Sequence, residues 1–201
     1  MHYFQEVFQI LKKAKSFGED TARSGATLFG KVPHIGSEAW FHTLYLPLSE
    51  REIDELEGEM NVEFPESYRE FLELTNGIRV FSNSLSIFGR RDSFSRSVED
   101  RQPYSVVSEN YNRPVGMPKK AVLIGFYPFR NGFYLYIECN SGKVIRCRKK
   151  EAKPLVVWDS FGQMLLSEVR RLEGFFDDIG RRRDQRAILV PDDEGNLGVS
   201  T

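Results

Sequence analysis

The sequence predicts an α+β fold: a mixed or antiparallel sheet of about five or six strands with helices packed on it. Three observations predict it. Residues 48–77 read as two short helices meeting at a proline corner. Several apolar runs between residues 78 and 158 repeat every second residue, the period of a strand. A last amphipathic stretch, residues 160–174, returns to the helical period. With 201 residues, 40% of them apolar and 13% aromatic, the chain is long enough for one such domain with a core and extensions.

The elements follow in order. Residues 3–17 place Phe4, Val7, Phe8, Leu11 and Ala14 on one helical face, with Lys12, Lys13 and Lys15 where a helix C-terminus prefers cations. Gly18 ends the pattern. A helix with a single apolar stripe is expected to lie on its own domain as an added layer, and the competing reading is a docking or dimerising element. Residues 18–37 are rich in Gly, Ser, Thr and Pro and read as a long loop. Residues 39–46, with Trp40, Phe41 and Tyr45, read as a strand or a helical turn. Ser49 and Glu52 then form a capping box, Leu48 and Ile53 sit at staple positions, and Ile53, Leu56 and Met60 make the first stripe. Pro65 opens the second helix, whose stripe is Tyr68, Phe71 and Leu72, and Asn76-Gly77 ends it.

Beyond Gly77 the period becomes two. Ile78-Arg79-Val80-Phe81 and residues 85–89 read as a hairpin across Ser82-Asn83-Ser84. Residues 90–103 are polar and read as a loop, and residues 104–111 as a short helix ended before Pro114. Residues 121–126 suit a central strand. Residues 133–139 and 143–148 read as a hairpin with Asn140-Ser141-Gly142 as a three-residue loop, which sets Cys139 opposite Lys143 and Leu135 opposite Cys147. In that register the two cysteines stand about 13 Å apart along the sheet, too far for a disulfide. Residues 154–158 add a strand. Ser160 and Gln163 form a second capping box, ahead of a stripe of Phe161, Met164, Leu165, Val169 and Leu172. Ile188-Leu189-Val190 is expected to add an edge strand or to pack on the domain.

The sequence Ile53-x-x-Leu56-Glu57, then Phe64-Pro65, Tyr68, Phe71-Leu72 and Asn76-Gly77, resembles the opening signature of the SUKH superfamily. A final strand followed by Ser160-Phe161 and an apolar stripe resembles the way that domain closes. The resemblance covers about residues 46–173. It implies a SUKH-like domain at 46–174, preceded by a helix and loop extension (1–45) and followed by a partly flexible tail (175–201). Two stretches depart from the family pattern. An Asp/Gly-rich turn is replaced by Tyr127-Pro128-Phe129-Arg130-Asn131-Gly132, and an acidic or aromatic segment by Arg146, Arg148, Lys149 and Lys150. The resemblance implies a protein-binding role. Fungal members of the Smi/Knr type regulate the cell wall, and bacterial members resemble immunity proteins that neutralise toxins, nucleases among them.

Composition and motifs bound the function from the other side. Net charge is −1, so overall charge names no partner. The longest apolar run, near residues 121–129, is broken by Gly125 and Pro128, so no membrane span is expected. Gln5 and Glu6 in the first turns do not suit a secretory leader, and the expected compartment is the cytoplasm. HExxH, GxSxG, P-loop, GxGxxG and CxxC motifs do not occur, and three scattered histidines offer no metal set. The expectation is therefore no catalytic residue, no metal and no cofactor, with an unrecognised hydrolase as a minor alternative. Nucleic acid is disfavoured as a partner by charge and motif. The expected partner is a protein, in particular a toxin domain, with the chain itself a monomer or weak dimer.

Two candidate contact patches stand out. Residues 48–75 carry ten acids against two bases, a local balance of −8 that leaves +7 on the rest of the chain. Glu55, Glu59, Glu66 and Glu70 are the acids expected to face a basic partner. Solvated helix faces are the plainer account of the same pattern. The second patch is Tyr134, Tyr136, Arg146 and Arg148, placed by the hairpin register on one solvent face, with Tyr134 opposite Arg148 and Tyr136 opposite Arg146. Aromatic and Arg side chains are the types enriched at interface hot spots.

Overall fold

The structure, a computed structural model, describes residues 2–93, 100–128 and 132–190. One antiparallel sheet of nine strands runs through it as a meander, each strand beside its neighbours in sequence. The strands are β1 (Glu19–Thr21), β2 (Thr27–Lys31), β3 (Trp40–Leu44), β4 (Ile78–Val80), β5 (Leu85–Ile87), β6 (Ala121–Tyr127), β7 (Phe133–Glu138), β8 (Val144–Arg148) and β9 (Glu151–Trp158). The helices are α1 (His2–Lys12), α2 (Glu50–Met60), α3 (Glu66–Leu74), α4 (Val106–Glu109) and α5 (Phe161–Glu173).

Nine strands correct the expected five or six. Six of them, β4–β9, fill the stretch that reads as alternating. The other three come from residues 19–44, most of which read as loop. The reason is local. β1 is Glu-Asp-Thr, exposed throughout, so no apolar alternation marks it, and its pairing with β2 is what makes it a strand.

The helical corner matches its sequence signals closely. Ser49 Oγ accepts from Glu52 N–H and the Glu52 carboxylate accepts from Ser49 N–H. Ile53 and Leu56 are buried on α2, and Tyr68, Phe71 and Leu72 on α3. Pro65 is the N-cap of α3 rather than its first turn residue, and Thr75 is the C-cap. Asn76-Gly77 therefore serves the sheet more than the helix. The Asn76 side chain donates to Arg90 O (2.8 Å) and accepts from Arg90 N–H (2.6 Å), clipping the start of β4 to the end of β5. Gly77 sits at φ +82°, and a Cβ there would lie 2.7 Å from Ile87 O and 2.9 Å from Phe88 O, so no other residue fits.

Helices cover one face of the sheet. α1 packs along α5, and α3 against α5. Phe4, Tyr68, Phe71 and Phe161 meet there at ring-centroid separations of 4.8–6.3 Å. The N-terminal helix is thus a layer on the core, its Phe4, Val7, Ile10 and Leu11 buried. α5 starts at Ser160, whose hydroxyl accepts from Gln163 N–H. Gln163 in turn accepts from Asp159 N–H rather than from Ser160, a looser box than the sequence suggests. The Tyr127 hydroxyl of β6 donates to the Glu168 carboxylate of α5 (2.8 Å), which also binds Arg171 one turn on (2.6 Å).

The other face is covered by residues 103–118, which contain α4. Phe88, Tyr104 and Phe126 pack together there. Asn110 grips Leu123 by both its N–H and its carbonyl, and Val115 runs beside Glu151 and Ala152. At the far end Leu189 and Val190 pack on the domain while Ile188 is 75% exposed. The tail expected to be partly flexible lies, from residue 191 on, outside the described residues, as does the centre of the turn 127–132.

The hairpin register is the main correction. Tyr134 pairs with Cys147, Leu135 with Arg146, Tyr136 with Ile145 and Phe133 with Arg148. The loop is one residue longer than expected, Cys139-Asn140-Ser141-Gly142, closed by Glu138 N–H to Lys143 O (2.9 Å) and Gly142 N–H to Glu138 O (2.8 Å). Gly142 holds the left-handed position (φ +71°). Because side chains alternate faces, a slip of one residue turns the whole partner strand over. Cys139 falls in the loop, and both cysteines are free thiols.

Candidate partner-binding surface

The acidic corner is held rigidly by its own cations. Arg69 on α3 binds Asp54 (2.8 Å) and Glu57 on α2, and Glu57 also accepts the Phe64 N–H that closes the corner. Hydrogen bonds to these two carboxylates raise the Arg69 pKa. Arg90, from the end of β5, binds Glu55 (3.0 Å), which Arg51 also approaches at 3.5 Å. Glu52 is held in the capping box, and its hydrogen bonds from Ser49 lower its pKa. So Asp54, Glu55, Glu57 and Glu52 carry local structure.

The rest of the charge points outward. Glu50, Glu59, Glu63, Glu66 and Glu73 are exposed, and none makes an ion pair among the described residues. Of the four acids singled out by sequence, Glu59 and Glu66 stand in this outward set. Glu55 is exposed but bound to Arg90, and Glu70 is half-buried and engaged. The surface is continuous with a groove of about 460 Å³ between the corner and the β7–β8 hairpin tip, lined by Glu57, Glu63, Val62, Lys120 and Cys139 among others. Val62, Cys139 and the single cation Lys120 line it beside the Glu57 and Glu63 carboxylates. Sequence reading missed it because its two walls are some 75 residues apart in the chain.

The second patch does not form. Tyr134 and Tyr136 are 6% and 2% exposed, and Arg146 is 0% exposed. The register slip explains it. The tyrosines face the 103–118 segment together with Ile145 and Cys147, and the Tyr136 hydroxyl donates to Ala152 O (3.3 Å). Burial pushes Tyr136 up to about 12 and raises Tyr134 as well. Arg146 lies on the opposite, helix-covered face, its guanidinium over the Phe133 ring at 5.3 Å. Arg148 alone of the four is exposed, at the end of β8. A contact surface built from these four side chains is therefore not available.

Among the described residues no group of three or more His, Cys, Asp or Glu side chains is placed to hold a metal ion, and no helix is long and apolar enough to cross a membrane.

Compared with known proteins, the chain matches the model of the SMI1 / KNR4 family (SUKH-1) over residues 47–167. The matched segment begins just before the capping box, takes in the acidic corner and β4–β9, and stops within α5. A search of proteins of curated function finds no match.

Proposed function

Since the chain belongs to the SMI1 / KNR4 (SUKH-1) family, we propose that it is a non-catalytic protein-binding module, an immunity protein that receives the basic face of a toxin domain on its α2–α3 corner. The observation that supports this reading is the outward set Glu50, Glu59, Glu63, Glu66 and Glu73. Four of these carboxylates sit on α2 and α3 and Glu63 on the corner between them, a frame locked by a capping box and by Arg69, within the family segment, with no cation paired to them among the described residues. Burying a charge on such a surface without a partner is costly, so its complement is a partner that brings its own cations. Nuclease toxins are suited to this because they must neutralise phosphates. An ordered acidic surface steers such a partner in and repels acidic competitors.

The test is the double reversal Glu59→Lys with Glu66→Lys, chosen because neither side chain pairs with Arg69 or Arg90. The association rate of the purified protein with the toxin domain encoded beside its gene is measured across ionic strength. At low salt the rate falls about tenfold and its salt dependence flattens, while the folded structure is kept. Unchanged association overturns the surface. Absence of any binding by the wild type to that domain, with capture of wall-synthesis or signalling components instead, favours the regulatory branch of the family.

A further inference from the structure

A second, separate cavity lies at the other end of the molecule. It measures about 530 Å³, within the roughly 300–1,000 Å³ typical of small-molecule sites. Of its fifteen lining residues only Phe81 falls inside the segment 47–167; the others come from the chain before β4 and after α5 begins its last turn. The cavity is therefore built by this chain's own extensions onto the family domain.

Its floor is His42 on β3, 1% exposed. The His42 Nδ1 accepts the Phe81 N–H at 3.2 Å, so the proton of the neutral ring resides on Nε2. Burial lowers the imidazole pKa to about 3, so the ring stays neutral. Nε2–H has no acceptor among the described residues, and the ring borders the cavity. Phe41 and Phe81 flank it at centroid distances of 4.4 and 4.8 Å, and Phe17 and Phe176 complete the aromatic wall. Nε2–H is open to the cavity rather than sealed without a partner, so an acceptor that fills the space between the aromatic faces can take its hydrogen bond.

Two further features mark a built site. Phe81, Ser82 and Asn83 all lie at positive φ (+52°, +53°, +67°), three consecutive non-glycine residues in a region such residues seldom occupy. This turn is what brings the Phe81 N–H and ring onto His42, and sustained backbone strain of this kind gathers at functional sites. The rim is charge-balanced, with Lys13, Arg170 and Arg183 against Glu173, Asp177 and Asp178. Lys13 and Glu173 pair at 2.8 Å, and Arg170 binds Glu6. Nothing at the mouth selects an ion of either sign.

We propose that this cavity binds a small, uncharged, planar aromatic molecule whose carbonyl oxygen or ring nitrogen accepts the hydrogen bond of His42 Nε2–H while its ring lies among Phe17, Phe41, Phe81 and Phe176. The site is independent of the acidic corner and stands whether or not that surface binds a toxin.

Coumarin and naphthalene are the probes, alike in shape but only the first bearing an acceptor, with naphthalene-1-sulfonate as the anionic control. Each is titrated into the ¹⁵N-labelled full chain, reading the His42 ring nitrogens by NMR. Coumarin is expected to shift Nε2 and to bind about tenfold more tightly than naphthalene, the margin of one hydrogen bond, with no gain from the sulfonate. His42→Asn keeps an acceptor for the Phe81 N–H and leaves no donor at the Nε2 position, its shorter amide N–H lying near the Cδ2 position instead, and coumarin affinity then falls to that of naphthalene. No shift of His42 with coumarin at millimolar concentration overturns the proposal. So does equal affinity for coumarin and naphthalene, or coumarin binding unchanged in His42→Asn. If the variant fails to fold, the two-probe contrast on the wild type decides the matter.

Discussion

His42 should make the protein lose stability in mildly acidic solution, well above the pH at which carboxylates titrate. The perturbation is a change of pH from 7.0 to 5.0. In the unfolded chain this imidazole titrates near 6.5 and takes up about 0.7 of a proton across that interval. In the folded chain burial holds its pKa at about 3 and it takes up none. The unfolded state binds more protons, so stability is complete above pH 6.5 and is lost as the pH falls toward 3. Integrating between 7.0 and 5.0 gives about 1.9 kcal/mol, with a limiting slope of about 1.4 kcal/mol per pH unit. The rim charges Lys13, Arg170, Arg183, Glu173, Asp177 and Asp178 are present in both forms compared, so they cancel in the difference. The assay is urea unfolding of the wild type and of His42→Asn at both pH values. The wild type should lose about 2 kcal/mol more than the variant, close to 1 M in midpoint for an ordinary urea slope. Equal losses would refute the reasoning, as would a His42 ring signal that titrates with a midpoint near 6.5 in the folded protein.

Two other substitutions test the frame that carries the acidic corner. Gly77→Ala forces a Cβ to within 3 Å of the Ile87 and Phe88 carbonyls at a positive φ, and should destabilise by more than about 3 kcal/mol, read as a loss of thermal midpoint of some 10 °C. A change under 1 kcal/mol would mean the approach is relieved by backbone movement. Tyr127→Phe removes a 2.8 Å hydrogen bond to the buried Glu168 carboxylate and leaves it only Arg171, at a cost of about 1.5–3 kcal/mol in chemical unfolding. Glu168→Ala in the Tyr127→Phe background should then cost less than in the wild type, because the two groups act together.

Much of the fold was legible because its signals are local. The capping box, the stripes of α2 and α3 and the strands β4–β9 follow from residues within a few positions of one another. The strands β1 and β2 were not legible, since β1 is exposed and polar and owes its conformation to pairing with β2, and β3 was legible only as a strand or a helical turn. The acidic corner was visible as composition, but its division was not. Arg69 and Arg90 reach Asp54, Glu57 and Glu55 from 12 to 35 positions away, and only those contacts separate carboxylates that hold the corner from those left to a partner. His42 passed as one of three scattered histidines. A polar ring inside the aromatic run Trp40-Phe41-His42 was the available signal, and its meaning rests on Phe81 and Phe176 arriving from elsewhere.

The sequence by itself determined the α+β class, the proline corner, the family and the presence of a two-strand hairpin between Phe133 and Arg148. Tertiary structure decided which residues of that hairpin see water. Periodicity states that neighbours alternate; it does not state which of two faces meets the partner strand's apolar side. That choice turned on whether three or four residues close the loop at Gly142, and the four-residue loop buries Tyr134, Tyr136 and Arg146 on opposite faces of a sheet covered on both sides.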